Sequence, residues 1–369
     1  MIISELQIQI IKQLKEKPQT NLNELIANMD ITPEQQPAIN KAKEVKEALI
    51  ELEDIFGEQI ISADDNITLP SSNILLDEEM LWQQMTSQAR DIFTNCELLL
   101  SIDSTNKRIK DMPAGSLLLA EQQTGGRGRY GRSWLSPFAA GIYLSISLEQ
   151  DKFHQGVEGL SLASGVILSR FLQELGVSPG LKWPNDLLAS INPVSKLGGV
   201  LVELGDEEVI IGIGINYRDS TTSIMKNKQL DESIAAKQIG IGTNYRDSTA
   251  MKNKQLDESL AAKQIATVED LMNPEVLANT SRSMASGRLI NHLAEGLNRF
   301  FNKGFIDFQS EWNDLNILAN LPLSLDTGTE VLQGICRGVD ASGRLLLADQ
   351  QSDKVHSISS GTVILDKST

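Results

Sequence analysis

Cysteine is scarce in this sequence. Only Cys96 and Cys336 occur in 369 residues, far apart and without C-x-x-C spacing, which excludes a disulfide framework and a cysteine-pair zinc knuckle. Positive charge is short as well: 33 lysines and arginines face 49 acids, for a formal net charge of -16 and a pI near 4.7. That balance speaks against wholesale electrostatic attachment to nucleic acid or to an anionic membrane, while leaving room for a local basic patch. Long apolar runs are missing too. None approaches the roughly 18 residues of a membrane span, and the N-terminus has no basic start followed by an apolar core. No membrane span and no signal peptide are expected, and the expected location is cytoplasmic.

What the chain does have is length and periodicity. Its 369 residues suffice for two or three compact units, each with a core. Residues 1–70 read as a winged helix-turn-helix. Ile3, Leu6, Ile10 and Leu14 make one helical stripe and Leu22, Leu25, Ile26 and Met29 a second, with Asn21 and Glu24 resembling a cap. Ile39, Val45, Ala48, Leu49 and Leu52 form the inner face of a third helix, with Pro37 in its first turn. The wing would be "EQIISADDNITLP", two short strands around Asp64, Asp65 and Asn66. A small helical interaction module shows the same pattern, which carries no base-reading chemistry of its own.

Residues 71–320 are mixed α/β, with strand-like "SLLLA", "GIYLSISL", "GVLVEL" and "EVIIGIGI", a helix through 158–175 and a second long helical stretch at about 285–315. Residues 321–369 alternate short apolar runs with "TGTE", "DASG" and "SSG", the pattern of a small SH3-like β-barrel. The expected fold class is α+β in three domains. One feature cuts across this plan. Residues 211–238, "IGIGINYRDSTTSIMKNKQLDESIAAKQ", recur at 239–264 as "IGIGTNYRDSTAMKNKQLDESLAAKQ", a tandem duplication with too few copies for a solenoid. The first copy enters from "GDEEVI" and completes the apolar run that a buried strand needs, so Asn216 rather than Asn244 is expected in the sheet.

The most informative stretch is "GGRGRYGRSW", residues 125–134. Gly126, Gly128 and Gly131 have the spacing G-x-G-x-x-G, which between a strand and a helix would announce a dinucleotide. The context disagrees, because "SWLSPFAAGIYLSISL" runs through a proline-containing turn into another strand, and a dehydrogenase is disfavoured. Arg127, Arg129 and Arg132 are threaded between the glycines. Glycine lets backbone N–H groups approach an anion, and arginine adds permanently charged bidentate donors. Such a loop suits phosphate or carboxylate, unless it is only a flexible basic surface loop.

Five segments settle the resemblance. "SIDSTN" (101–106), "AEQQTGGRGRYGRSW" (120–134), "KWPNDLL" (182–188), "KLGGVLVEL" (196–204) and "IGIGIN" (211–216) occur in this order, and together they resemble the bacterial biotin protein ligases. The helical N-terminus and barrel-like C-terminus extend the likeness, more weakly, to the bifunctional class, in which a winged helix binds an operator and the ligase doubles as the biotin repressor. The resemblance implies ATP, biotin and Mg2+ as ligands. It also implies formation of biotinyl-5'-adenylate with release of pyrophosphate, then transfer of biotin to a lysine of the biotin carboxyl carrier protein of acetyl-CoA carboxylase.

Carried over motif by motif, the resemblance places Ser104, Thr105, Asn106 and Gln123 around biotin. It places Arg127, Gly128 and Arg129 in the loop that closes over biotin and the adenylate, and Lys196 at the biotin carboxyl and the mixed anhydride. Arg132, Trp134, Asn185 and Asn216 are expected at the ATP, and Asp186 at the magnesium. Arg129, Lys182 and Lys196, with Arg132, are the cations expected to meet the charge that builds on the phosphoryl oxygens and on pyrophosphate. In isolation "STN" would be a helix cap and "PND" a turn.

The chain departs from the family in two places. Residues 1–70 hold six lysines, no arginine and thirteen acids, a net charge of -7, so operator DNA binding is expected to be weak or absent. The duplication falls in the segment expected to fold over the adenylate. Two rival readings differ in what they need. A lipoyl or octanoyl transferase would share the catalytic fold without phosphate-directed arginines or "KWPND". A biotin-sensing transcriptional regulator would need a basic recognition helix, which "AINKAKEVKEALIELE" does not supply. A homodimer is left open by the chain.

Overall fold

The structure, a computed structural model, describes residues 2–29, 38–56, 59–62, 64–69, 75–191, 194–218, 266–349, 352 and 354–364. Pro37, the side chain of Ile39, Asn244 and all of the duplicated tract after Arg218 lie outside the described residues.

The N-terminal helices begin where their caps say they should. Helix α1 (Glu5–Glu16) opens with Ser4 and Gln7 in a reciprocal capping box. The side chain of Asn21 accepts from the Glu24 N–H to start α2 (Leu22–Ala27), the cap expected from sequence. Helix α3 (Ala38–Phe56) follows. Ile10, Ile11, Leu14, Leu25, Leu49 and Leu52 close this core. The expected wing hairpin is short: Ile61 and Ile67 form an antiparallel bridge, the Ser62 N–H bonds to the Asn66 carbonyl and the Thr68 N–H to the Ile60 carbonyl. On its other edge β2 (Asn66–Thr68) pairs with β1 (Gln19–Asn21), the segment just before α2. This core also takes in Phe138 and Ala139 from the central part of the chain, and the Ile3 N–H donates to Gln122 Oε1 at 2.8 Å.

The centre is a seven-stranded sheet of β3 (Asn95–Leu99), β4 (Ser116–Ala120), β5 (Gly141–Glu149), β6 (Gly180–Lys182), β7 (Asp186–Ile191), β8 (Val194–Leu204) and β9 (Glu208–Asn216). Its spatial order is β3-β4-β5-β9-β8-β7-β6, and only β3 and β4 run parallel. Strand β9 belongs to the first copy of the duplicated tract and lies between β5 and β8. Helices α4 (Glu78–Gln84), α5 (Ser87–Ile92) and α6 (Thr105–Arg108) precede α7 (Leu160–Glu174). After the tract come α8 (Val268–Leu271), α9 (Pro274–Ala278), α10 (Arg282–Lys303) and α11 (Gln309–Leu315). Leu162, Val166, Ile167, Phe171 of α7 and Leu289, Leu293, Leu297, Phe300 of α10 share the main core. The two helices pack closely enough that a Cβ on Gly296 would sit 2.3 Å from Ile167. The helical stretch expected at 285–315 is broken at Gly304, whose φ of 68° suits glycine.

A second, antiparallel sheet ends the chain, with β10 (Pro322–Asp326), β11 (Val331–Val339), β12 (Leu345–Ala348), β13 (Val355–Ile358) and β14 (Thr362–Ile364) in the order β13-β12-β11-β10-β14. Leu325, Cys336, Leu345, Leu347 and Val363 join the central core, so this sheet is packed against the rest.

One buried ion pair ties the central elements together. Glu121 follows β4 and Arg282 starts α10, and their side chains are 1% and 2% exposed. Arg282 donates to Glu121 Oε2 and to the Gly141 carbonyl, while the Leu76 N–H donates to Glu121 Oε1. A pair this deep repays its desolvation only when both members are present. Arg282→Leu and Glu121→Leu should each destabilise the protein by about 3–5 kcal/mol in urea titration, and the double replacement should cost less than the sum of the two.

Candidate active site

Strand β9 sets the floor of the site. In "IGIGIN" the side chains alternate, so Ile211, Ile213 and Ile215 enter the main core while Gly212 and Gly214 face the other way. The second face is left without side chains because other groups fill it. A Cβ on Gly212 would fall 2.1 Å from Asn106 Oδ1, and one on Gly214 would fall 2.5 Å from the indole of Trp134. The glycines are there for close approach, and the pocket forms above them.

At one end of the pocket the polar side chains bond to one another. Ser104 stands at the N-cap of α6, yet its side chain makes no capping bond, so the bland account of "STN" does not hold for it. The Thr105 N–H donates to Gln123 Oε1 at 2.9 Å, and the Thr105 hydroxyl does so at 3.0 Å. Gln123 Nε2 donates to Ser136 Oγ at 2.8 Å. Asn106 Nδ2 donates to Glu203 Oε2 at 2.8 Å, and Ser145 Oγ lies 2.7 Å from Thr105 Oγ1 and 2.6 Å from Asn106 Oδ1. Thr105, Asn106, Gln123 and Ser145 are all buried.

The arginine stretch is a hairpin. Trp134 N–H bonds to the Gly126 carbonyl, Gly128 N–H to the Arg132 carbonyl, and Arg132 N–H to the Arg129 carbonyl. The two residues inside that last turn, Tyr130 and Gly131, have φ of 56° and 70°, as in the type I′ turn that joins closely paired strands. The G-x-G-x-x-G spacing thus builds a hairpin with no helix behind it. The Arg129 guanidinium carbon lies 4.9 Å from the centre of the Tyr130 ring, and Arg132 donates to Thr362 Oγ1 at 3.3 Å.

At the other end "KWPND" forms a tight β6–β7 hairpin around the cis Trp183–Pro184 bond, with Lys182 directly opposite Asp186. Asp186 Oδ1 is 2.7 Å from Lys196 Nζ and Oδ2 is 3.6 Å from Lys182 Nζ, with these side chains only 12–18% exposed. Burial pushes the Asp186 carboxyl up, but the two ammonium groups outweigh it and hold it below the ordinary carboxylate range. Burial also pulls the Lys182 ammonium down, against the attraction of Asp186. Lys196 lies 5.0 Å from the centre of the Trp134 ring.

Ser104, Thr105, Asn106, Gln123, Arg127, Gly128, Arg129, Arg132, Trp134, Lys182, Asn185, Asp186 and Lys196 therefore line one pocket, about 910 Å³ including the space open to solvent. Asn216 is not among the lining residues. Its amide donates to the Lys196 carbonyl at 3.0 Å, and the amide of Asn185 is likewise spent on the Val200 carbonyl at 2.9 Å. Sequence reasoning missed Ser145 and Glu203, and also the C-terminal contribution: Gly361, Thr362 and Val363 line the pocket, and Trp183 Nε1 donates to the Gly343 carbonyl at 3.1 Å. For Glu203 the signal was within reach, since it lies in "KLGGVLVEL". For Thr362, 230 residues from Arg132, nothing local in the sequence marks the contact.

Residues 98–216 match the biotin/lipoate A/B protein ligase family. The chain is 32% identical to the bifunctional ligase/repressor BirA of Escherichia coli over 67% of each chain, and 31% identical to that of Salmonella typhimurium over 76% of each. It is 39% identical to the biotin--[acetyl-CoA-carboxylase] ligase of Mycobacterium tuberculosis over 39% of this chain and 53% of that one. In fold it is similar to the biotin protein ligase from Aquifex aeolicus in complex with biotin and ATP, with a TM-score of 0.53 at 24% identity over 74% of this chain and all of that one.

The lysine-flanked carboxylate gives a pH signature. Because the Asp186 pKa is depressed by folding, its contribution to stability is complete above its unfolded value and disappears as pH falls through the lower folded value. The stability difference between wild type and Asp186→Asn, from urea titrations, should be full above about pH 5 and shrink steadily below about pH 4.

Proposed function

The chain belongs to the biotin protein ligase family, and from that premise we propose how its pocket carries out the two steps of biotin ligation. The observation that carries the reading is the meeting, in one cavity, of a buried hydroxyl and amide cluster with five cations. Biotin's ureido end is taken by Thr105, Asn106 and Gln123, whose short polar groups match its donors and acceptor. Its carboxylate then points toward Lys196 and the arginine hairpin. A carboxylate oxygen attacks the α-phosphorus of ATP, the bond to the β-phosphate's bridging oxygen breaks, and pyrophosphate leaves. Negative charge grows on the phosphoryl oxygens and the leaving group, and Lys182, Lys196, Arg129 and Arg132 are fixed cations within the same pocket. In the second step the amine of a carrier lysine attacks the acyl carbon, AMP departs, and the amine sheds a proton. No nucleophile from this chain is required.

Asp186 does not fit a magnesium held by the protein. Its two oxygens face two ammonium groups, those of Lys196 at 2.7 Å and Lys182 at 3.6 Å. A magnesium bound by nucleotide phosphates and water needs no more. Asp186 instead serves as the counter-ion that holds both lysine side chains in place. Asn216 acts one step back, by fixing the Lys196 backbone. Trp134 covers the nucleotide side, and Arg127 with Gly128 completes the hairpin wall. The carrier is the biotin-accepting protein of a carboxylase, the substrate class implied by the relatives' names.

We further infer three domains: 1–70 as a winged helix, 71–320 as the ligase and 321–369 as an SH3-like barrel. The relatives named ligase/repressor make operator binding the natural role of the first. Its third helix is poorly equipped for that role. Lys46 is 3.0 Å from Asp65, Lys43 is 3.7 Å from Glu47, and Lys41 donates to the Met29 carbonyl.

Three measurements test these readings. With ATP, biotin and a biotin carrier domain, the purified protein should release pyrophosphate and biotinylate one carrier lysine; a transferase without adenylation would release none. Arg129→Gly should release the adenylate early and label bystander lysines more than wild type does at equal activity; unchanged bystander labelling removes this role for Arg129. In gel shifts at physiological salt, binding to the promoter of the biotin synthesis genes should be weak or undetectable, whereas nanomolar biotin-dependent binding would show that the lysines exchange their partners for phosphate.

A further inference from the structure

We propose that Glu203 is a positioning residue that sets the polarity of the pocket end taken by the ureido group, acting through the amide of Asn106. The inference rests on that end being the biotin site. A carboxylate can only accept hydrogen bonds, so the Asn106 group 2.8 Å from Glu203 Oε2 has to be Nδ2. The amide oxygen is then turned to the opposite side, where it meets Ser145 Oγ at 2.6 Å.

Counting protons gives the consequence. Gln123 is fixed from both ends: its Oε1 receives the Thr105 backbone N–H, which can only donate, and its Nε2 goes to Ser136. The Thr105 hydroxyl gives its proton to Gln123 Oε1. The Ser145 hydroxyl therefore has one proton to divide between two acceptors, Thr105 Oγ1 and Asn106 Oδ1. Among the described residues the contact around Ser145 is therefore one donor short, since the amide nitrogens of Asn106 and Gln123 are turned to Glu203 and Ser136, and a ligand N–H completes it. With the Asn106 amide reversed, Nδ2 would donate to Ser145, Ser145 would donate to Thr105, and the shortage would vanish. Glu203 thus makes the pocket demand an N–H donor, which a ureido group supplies.

The surroundings hold Glu203 to this task. It lies on β8 two residues beyond Leu201, on the strand face that carries the pocket, and Lys110 Nζ is 3.6 Å from its other oxygen, Oε1. Gly212 on the adjacent strand leaves the space in which the Asn106 amide stands. The role is one of positioning, because among the described residues Glu203 meets the pocket lining through Asn106 and does not itself line it.

The test compares Glu203→Met, which removes the acceptor at similar length, with Glu203→Gln, whose side-chain oxygen can still receive Nδ2. Glu203→Met should raise the KM for biotin roughly tenfold, the worth of about one buried hydrogen bond, with the KM for ATP and kcat at saturating biotin within about twofold of wild type. Glu203→Gln should restore most of the biotin affinity. In an Asn106→Ala background Glu203→Met should have no further effect on the biotin KM, whereas a merely structural role would add to it. Should Glu203→Met fail to fold, Glu203→Ser, too short to reach the amide, takes its place. A biotin KM within twofold of wild type in Glu203→Met, an equal rise for ATP, or additivity with Asn106→Ala overturns the assignment. Calorimetric titration of the wild type with biotin separates the two levels. Without binding, the reading of the site fails and this assignment fails with it; binding that is indifferent to Glu203 removes the assignment alone.

Discussion

The site depends on a strand that has to be solid on one face and vacant on the other. β9 meets that constraint with isoleucine and glycine in alternation, buried between β5 and β8. The isoleucines anchor it in the main core, so the glycines cost it less than they would in an exposed strand. The space they leave is occupied by two groups from elsewhere, the amide of Asn106 and the indole of Trp134. A side chain at either position would displace one of the pocket's working groups, so the fold and the site share this one repeat of two.

Charge is partitioned just as sharply. A chain with a formal net charge of -16 gathers Arg127, Arg129, Arg132, Lys182 and Lys196 around one cavity. The overall acidity keeps nonspecific polyanions away, while the cavity offers a small anion several donors at once. The two lysines would be costly to bury alone, and the carboxylate between them lowers that cost. Elsewhere several basic residues face acids of their own surface, as with Lys46 and Asp65 or Lys17 and Glu24.

Much of this was legible in the sequence, for reasons that differ by element. β4 falls on the expected "SLLLA", and β5 and β9 each extend one residue past the expected run, because buried strands are continuous apolar stretches that need no context. The pocket residues were found through motifs, and all but Asn216 line the cavity. Asn216 escaped because its motif fixes which residue is needed without fixing what it touches. Helices α4 and α5, with six or seven residues each, were too short for a periodicity to emerge. The wing was read only in part: Asp64 to Asn66 make the turn and Ile61 bridges Ile67, but β2 also pairs with Gln19–Asn21, and strand pairing across 45 residues leaves no local mark. The same holds for the C-terminal sheet's arrival at the pocket through Thr362.

The chain leaves the sheet at Asn216 and returns at Ala266 almost to the same atom: the side chain of one and the N–H of the other both bond to the Lys196 carbonyl, and Glu269 N–H bonds to Tyr217 just beyond. The two ends of the tract are thus held at one point beside the sheet. For an unstructured connection, doubling the length between fixed ends costs only about 0.6 kcal/mol of closure entropy. Such a junction is a place where a gene can stutter and the protein survive. The duplication of residues 211–238 as 239–264 falls at this point, where one carbonyl, that of Lys196, holds the chain on both sides of the added length.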